Sequence, residues 1–166
     1  MDQEKVAGWV GIGLVVLIMI GYYHVAGFLS ILALGIYTIL VLGSLAGLNA
    51  TLTLPGLAGI ILSVGMAVDA NVLIFERIRE ELAAGRSNRM AMEEGFHKAL
   101  SAIVDSNLST LITALVLYQI GTGAVRGFAV TLSIGVVASF FSAVFVTRTF
   151  FVVYLSRMKA SDPISI

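Results

Sequence analysis

Two carboxylates interrupt long apolar stretches of this 166-residue sequence, Asp69 and Asp105, and each is followed two positions later by an amide, Asn71 and Asn107. An acid at the centre of a bilayer costs about 2.5–3.5 kcal/mol on insertion scales, so such a residue faces protein or a water-filled cavity and is a functional candidate by default. Desolvation disfavours the charged form of a carboxylate, so an acid in a dry layer can take up a proton from one side and release it to the other. Asp69 lies seven residues before Glu76, and Asp105 seven after Lys98. At the helical rise both stand roughly 10 Å inside the nearer edge of the apolar layer. If their two helices pack together, the acids can share one polar level.

The surroundings extend that layer. Ser101, Asp105 and Ser109 are spaced i,i+4, and Ser106, Thr110 and Thr113 lie on a neighbouring face. An offset of two residues turns an amide about 200° from its acid, so each helix carries polar groups on two faces and is expected to bury both. Gly65 shares the face of Asp69 and would let another helix approach closely. No Lys or Arg lies at this depth within an apolar stretch, so a cation facing Asp69 would belong to another polypeptide. Asp69, Asp105, Asn71 and Asn107 are therefore the candidate proton relay. A purely structural, hydrogen-bonded role suits Asp105 better than Asp69, and the two amides also suit helix–helix hydrogen bonding.

Other chemistries fall away. There are no cysteines and two histidines, His24 and His97, which excludes thiol chemistry and a Cys- or His-rich metal site. Neither histidine is deep enough to activate a serine or threonine, so no nucleophile–base pair can be assembled. Two Asp on neighbouring helices could form an intramembrane aspartyl protease, but Val68-Asp69-Ala70 and Val104-Asp105-Ser106 lack the Gly-containing signature. Gly121-Thr122-Gly123 lacks the strand–turn–helix context of a phosphate loop. Ten basic residues balance ten acidic ones, without the basic surplus that nucleic acid requires. The chain reads as no enzyme, with no cofactor and no metal.

The elements that must hold these residues are membrane helices. Hydrophobic residues make up 58% of the chain and charged ones 12%, and the mean hydropathy is +1.00. Residues 6–68 contain no Asp, Glu, Lys or Arg, far more than the about 20 residues that cross a bilayer. Breakers at Tyr22-Tyr23-His24 with Gly27, and at 47–51 running to Pro55-Gly56, divide the run, with Pro55 suited to a first helical turn. The reading is all-α, a polytopic bundle of five transmembrane helices over 6–23, 25–48, 55–75, 99–120 and 128–155. Gly43 with Gly47, and Gly123 with Gly127, are spaced for close helix packing. Trp9, Tyr22, Tyr23 and Tyr118 fit interfacial belts.

The connection 76–98 has its own structure. Residues 76–82 are expected to extend the third helix into water, with Arg77–Glu81 and Glu76–Arg79 pairs. Gly85 suits a helix end, and Ser87 or Asn88 can cap a short helix. Its apolar stripe, Met92, Phe96, Ala99 or Leu100, and Ile103, runs into the fourth span. Eight of the ten basic residues lie in this connection or from Arg148 onward; only Lys5 and Arg126 lie opposite. The connection and the C-terminus are thus expected to be cytoplasmic and residue 1 outside. Met1-Asp2-Gln3-Glu4-Lys5 has no signal-peptide form, so a preceding span is expected to deliver Lys5 to the outer face.

The run from Gly65 through Asp69-Ala70-Asn71 to Leu82 resembles the signature of the SecD/SecF family of protein-export membrane proteins. Residues 51–60, 105–111 and 121–129 agree with it, and the resemblance extends from about Val6 to Arg157. Ser106 stands where the family commonly has Ala, and Ser109 where Thr is usual. The resemblance implies one half of a pseudo-symmetric transporter of the resistance–nodulation–division (RND) type in the bacterial inner membrane. It implies a partnership with SecF, with the SecYEG translocon, with YajC and with unfolded preprotein substrate, proton flow driving export. It implies that Asp69 is the key acid, and that an upstream span and a large extracytoplasmic domain precede this region. An RND-type exporter of lipids or drugs, a non-conducting scaffold for the translocon, and sodium in place of protons are the alternatives.

Overall fold

The computed structural model describes the backbone of residues 2–48, 53–157 and 166, with side chains from residue 10 onward apart from residue 12. Asn49, Ala50, Thr51 and Lys159, and the side chains of Lys5 and Trp9, lie outside the described residues. The elements are α1 (Asp2–Gly47), α2 (Leu54–Ala83), α3 (Asn88–Ile120), α4 (Gly123–Phe141), a π-helical turn (Ser142–Thr147) and α5 (Arg148–Arg157). Four helices are long and apolar enough to cross a membrane, the last running unbroken from Gly123 to Arg157.

The sequence predicts five spans; the first two are arms of one bent element. His24 alone departs from helical geometry (φ 46°, ψ −114°). A side chain at Gly27 would run into the backbone carbonyl of Met19. In a straight helix those residues would stand about 12 Å apart along the axis, so α1 folds sharply at His24. No proline lies there; the turn is made by the positive φ of His24.

At the start of α2, Thr53 caps by accepting the Gly56 N–H on its hydroxyl at 3.1 Å, and Pro55 occupies the first turn. Gly85, at φ 82°, ends α2 as expected. α3 then runs from the charged connection into the apolar layer without interruption. Its predicted stripe is correct: Met92, Phe96, Ala99 and Ile103 are all buried.

α2 is central, packed against α1, α3, α4 and the π-helical turn. Towards the charged connection an aromatic chain fills the core: Tyr23 on Phe75 and Phe75 on Phe151, each with centroids 5.4 Å apart, and Phe151 on Phe96 at 6.2 Å. Tyr37, Val41, Ala67 and Ala138 form a second cluster, and Ala114, Leu132 and Val136 a third. The perimeter is apolar, with Leu17 70%, Ile39 72% and Ile61 66% exposed. A surface of that kind belongs against acyl chains, not water.

Between helices in lipid, small residues and hydrogen bonds supply the cohesion. A Cβ at Gly59 would stand 2.5 Å from the Thr131 hydroxyl, and one at Gly95 would stand 2.8 Å from the Cα of Ile78. Gly135 lies against the Ser63 side chain, and a Cβ at Gly127 would stand 2.6 Å from the Thr53 hydroxyl. Gly43 and Gly47 do not act this way. Both are exposed, and none of the described residues lies within 4 Å of a Cβ built on either.

Candidate functional site

The four relay residues separate into two pairs. Asn71 and Asn107 are buried, at 3% and 8% exposure. Asp69 and Asp105 are exposed on the bundle surface. Within this bundle only one of the two polar faces of each helix is buried: the amides point inward and the acids outward. The offset of about 200° accounts for it, since a helix that turns one such residue to the core turns the other away.

On α2 the outward stripe runs through Ala58, Leu62, Gly65 and Asp69, all exposed. None of the described residues stands within 4 Å of a Cβ at Gly65, so the open approach it provides is not used by any described helix of this bundle. On α3, Ser101, Asp105 and Ser109 form a second exposed stripe. Among the described residues, neither carboxylate has a hydrogen-bond or ion-pair partner. The hydroxyls around Asp105 are engaged with their own helix: Ser109 donates to the Asp105 carbonyl at 2.9 Å, Thr110 to the Ser106 carbonyl at 2.9 Å, and Thr113 to the Ser109 carbonyl at 3.0 Å.

Behind the acids, the amides meet different fates. The amide oxygen of Asn71 accepts a hydrogen bond from the fully buried Thr147 hydroxyl at 2.8 Å. The Nδ2 of Asn107 is buried with no partner among the described residues. Thr147 closes the π-helical turn, and Ser142, which opens it, donates to the Ala33 carbonyl of α1 at 2.9 Å. Single π-helical turns recur at functional sites. Here both ends of the turn hydrogen-bond to other helices. A third link joins α1 to α2: Ser63 donates to the Ile60 carbonyl at 2.8 Å, leaving Tyr37 as donor in the 2.7 Å bond between their hydroxyls.

At the charged end, the Glu76–Arg79 pair forms at 3.2 Å, as predicted. Arg77 pairs with Glu80 instead of Glu81, at 2.7 Å. Glu81 is drawn away because it is nearly buried between the helices, where Lys98 of α3 binds one carboxylate oxygen and Arg86 the other at 2.7 Å. The Lys98 hydrogen bond, with help from the Arg86, Lys98 and Arg77 charges and against the pull of burial, holds the Glu81 carboxyl below its usual range. Arg79 also lies over the Tyr22 ring at 4.6 Å. Thr147 and Tyr37 escaped the sequence reading, where the only signal was a hydroxyl or phenol amid residues of unrelated periodicity; Glu81 was expected only as a partner of Arg77, not of Lys98 and Arg86.

Fold and site together define a multi-pass α-helical membrane bundle that turns intramembrane acids outward from its own core. Residues 6–157 match the family described as protein export membrane protein SecD/SecF, C-terminal, and the chain belongs to that family. It is 55% identical over 145 residues to the protein translocase subunit SecD of Calditerrivibrio nitroreducens, covering 87% of this chain and 28% of that protein. It is 57% identical over 141 residues to the SecD of Rhodothermus marinus, covering 85% and 23%. The crystal structure of SecDF, a translocon-associated membrane protein from Thermus thermophilus, superimposes with a TM-score of 0.86 at 46% identity, over 93% of this chain and 22% of that one. The chain thus spans roughly a quarter of the length of these relatives.

Proposed function

We propose that this bundle is the membrane half contributed by a SecD-type subunit to proton-driven protein export. It assists preprotein movement across the bacterial inner membrane together with SecF and the SecYEG translocon, with YajC as an accessory. The observation that carries the reading is the outward placement of Asp69 beside the open Gly65. A carboxylate turned towards acyl chains is costly, so this face is complete only when another helix bundle covers it. The SecF bundle is that cover and supplies the cation missing from this chain. Reversible protonation of Asp69 then changes how the two bundles fit, and their rocking is the work-producing motion. Asp105 lies along the same route. Asn71 fixes the rotation of the helix that carries Asp69, and Asn107 offers a donor to a water or a partner group. The connection 76–98 and the C-terminus face the cytoplasm, and residue 1 faces outside.

The test is Asp69→Asn in the full-length protein with its partner, reading preprotein export and ion flux in proteoliposomes. Loss of both with unchanged assembly is expected. Unchanged export would overturn the coupling and leave a scaffold. Flux that follows a sodium gradient instead of a proton gradient would reassign the ion.

A further inference from the structure

A cavity of about 160 Å³ opens between α2, α3, the π-helical turn and the start of α5. Its walls divide by chemistry. Phe96, Leu100 and Val144 form an apolar floor, whereas Glu93, His97 and Arg148 form the rim. The floor residues are buried or half-buried and the rim residues are exposed. The cavity therefore straddles the level at which the charged connection meets the apolar spans, where lipid headgroups lie.

Among the described residues the rim leaves its charges unpaired. Arg148 and Glu93 carry opposite charges on one cavity, yet among the described residues neither forms an ion pair. They do not pair with each other, and a ligand with both charges would bridge them. We propose that the cavity seats the headgroup of an aminophospholipid from the surrounding bilayer, its phosphate on Arg148 and its ammonium on Glu93. A guanidinium forms paired, charge-assisted hydrogen bonds to phosphate. A lipid with a phosphate and no ammonium would set its charge against Glu93. The volume matches one small group, since a cavity of about 150 Å³ holds one benzene, and the first carbons of an acyl chain lie along Phe96 and Leu100.

The experiment uses the full-length protein with its partner subunit, exchanged into equimolar phosphatidylethanolamine and phosphatidylglycerol and read by native mass spectrometry of retained lipid. The wild type should retain phosphatidylethanolamine in preference. Glu93→Gln should erase that preference, a change of roughly tenfold for one charge-assisted contact. Arg148→Gln should lose both lipids. Leu100→Trp, which fills the cavity without touching charge, should also lose both, and it reads the site independently if Arg148→Gln fails to fold. Equal retention in wild type and all three variants overturns the proposal. So does equal binding of the two lipids by the wild type, or a photoreactive group at position 100 that labels protein and no lipid.

Discussion

The hydroxyl of Thr147 and the amide oxygen of Asn71 stand 2.8 Å apart in a buried hydrogen bond that joins the π-helical turn to α2, two residues beyond Asp69. This bond holds Asn71 inward on the same face of α2 that buries Ala67, Ala70 and Ile74. With Asn71 held inward, Asp69 faces outward.

Breaking that bond is the first prediction. Thr147→Val keeps the shape and removes the donor, leaving the Asn71 oxygen buried and unpaired. A loss of about 1–3 kcal/mol is expected, visible as a lower melting temperature of the detergent-solubilised complex. Thr147→Ser should restore most of it. Should Val and Ser behave alike, the hydrogen bond is not what matters at this position.

Acid sensitivity at the charged end is the second. The Glu81 carboxyl is held below its ordinary range by Lys98 and Arg86. A depressed carboxylate stabilises the folded state fully above its unfolded pKa, about 4.3 for Glu. It loses that contribution as the pH falls from there through the lower folded value. Melting temperature against pH should therefore drop on the acid side, and Glu81→Gln should flatten the drop while lowering stability at neutral pH. A parallel acid limb in wild type and variant would remove Glu81 as its cause.

Glycine substitutions give the third. Gly95→Ala drives a methyl into the backbone of Ile78 and should destabilise the α2–α3 contact by about 1–3 kcal/mol. Gly43→Ala meets none of the described residues and should not destabilise the bundle, gaining up to about 1 kcal/mol of helix propensity. Measured side by side, the two variants test which small residues this bundle uses.

The fourth compares the acids. Asp69→Asn should abolish ion-coupled export, whereas Asp105→Asn should reduce it partially, because only Asp69 has the open glycine one turn away. Equal loss in both variants would make Asp105 a full member of the coupling site.

The sequence exposed those features that one residue or one run decides. Pro55 marks the start of α2, Gly85 its end, and the Met92–Ile103 stripe joins the connection to the fourth span. The bend at His24 was visible as a polar break, though not as a bend within one element. The burial of each helix face was not legible, because Asp69 and Asn71 lie on opposite sides and either could face the core. Nor could spacing choose among seventeen glycines. Gly43-x-x-x-Gly47 has the familiar pattern and lies on the outside, while Gly59, Gly95 and Gly135 make the close contacts because helix register places a neighbour there. Glu81 took the partner across the connection in place of the one on its own helix, a choice that only the folded turn at Gly85 makes available.

α3 passes from the charged connection to the far side of the apolar layer as one rod, about 50 Å long at the helical rise, and Lys98 fastens it to α2 through Glu81. No proline or kink along it can absorb a tilt. A small swing at the Asp105 level must therefore reappear, enlarged, at both tips, so a movement of ångström scale beside the acids becomes a lever stroke at the two water-facing ends.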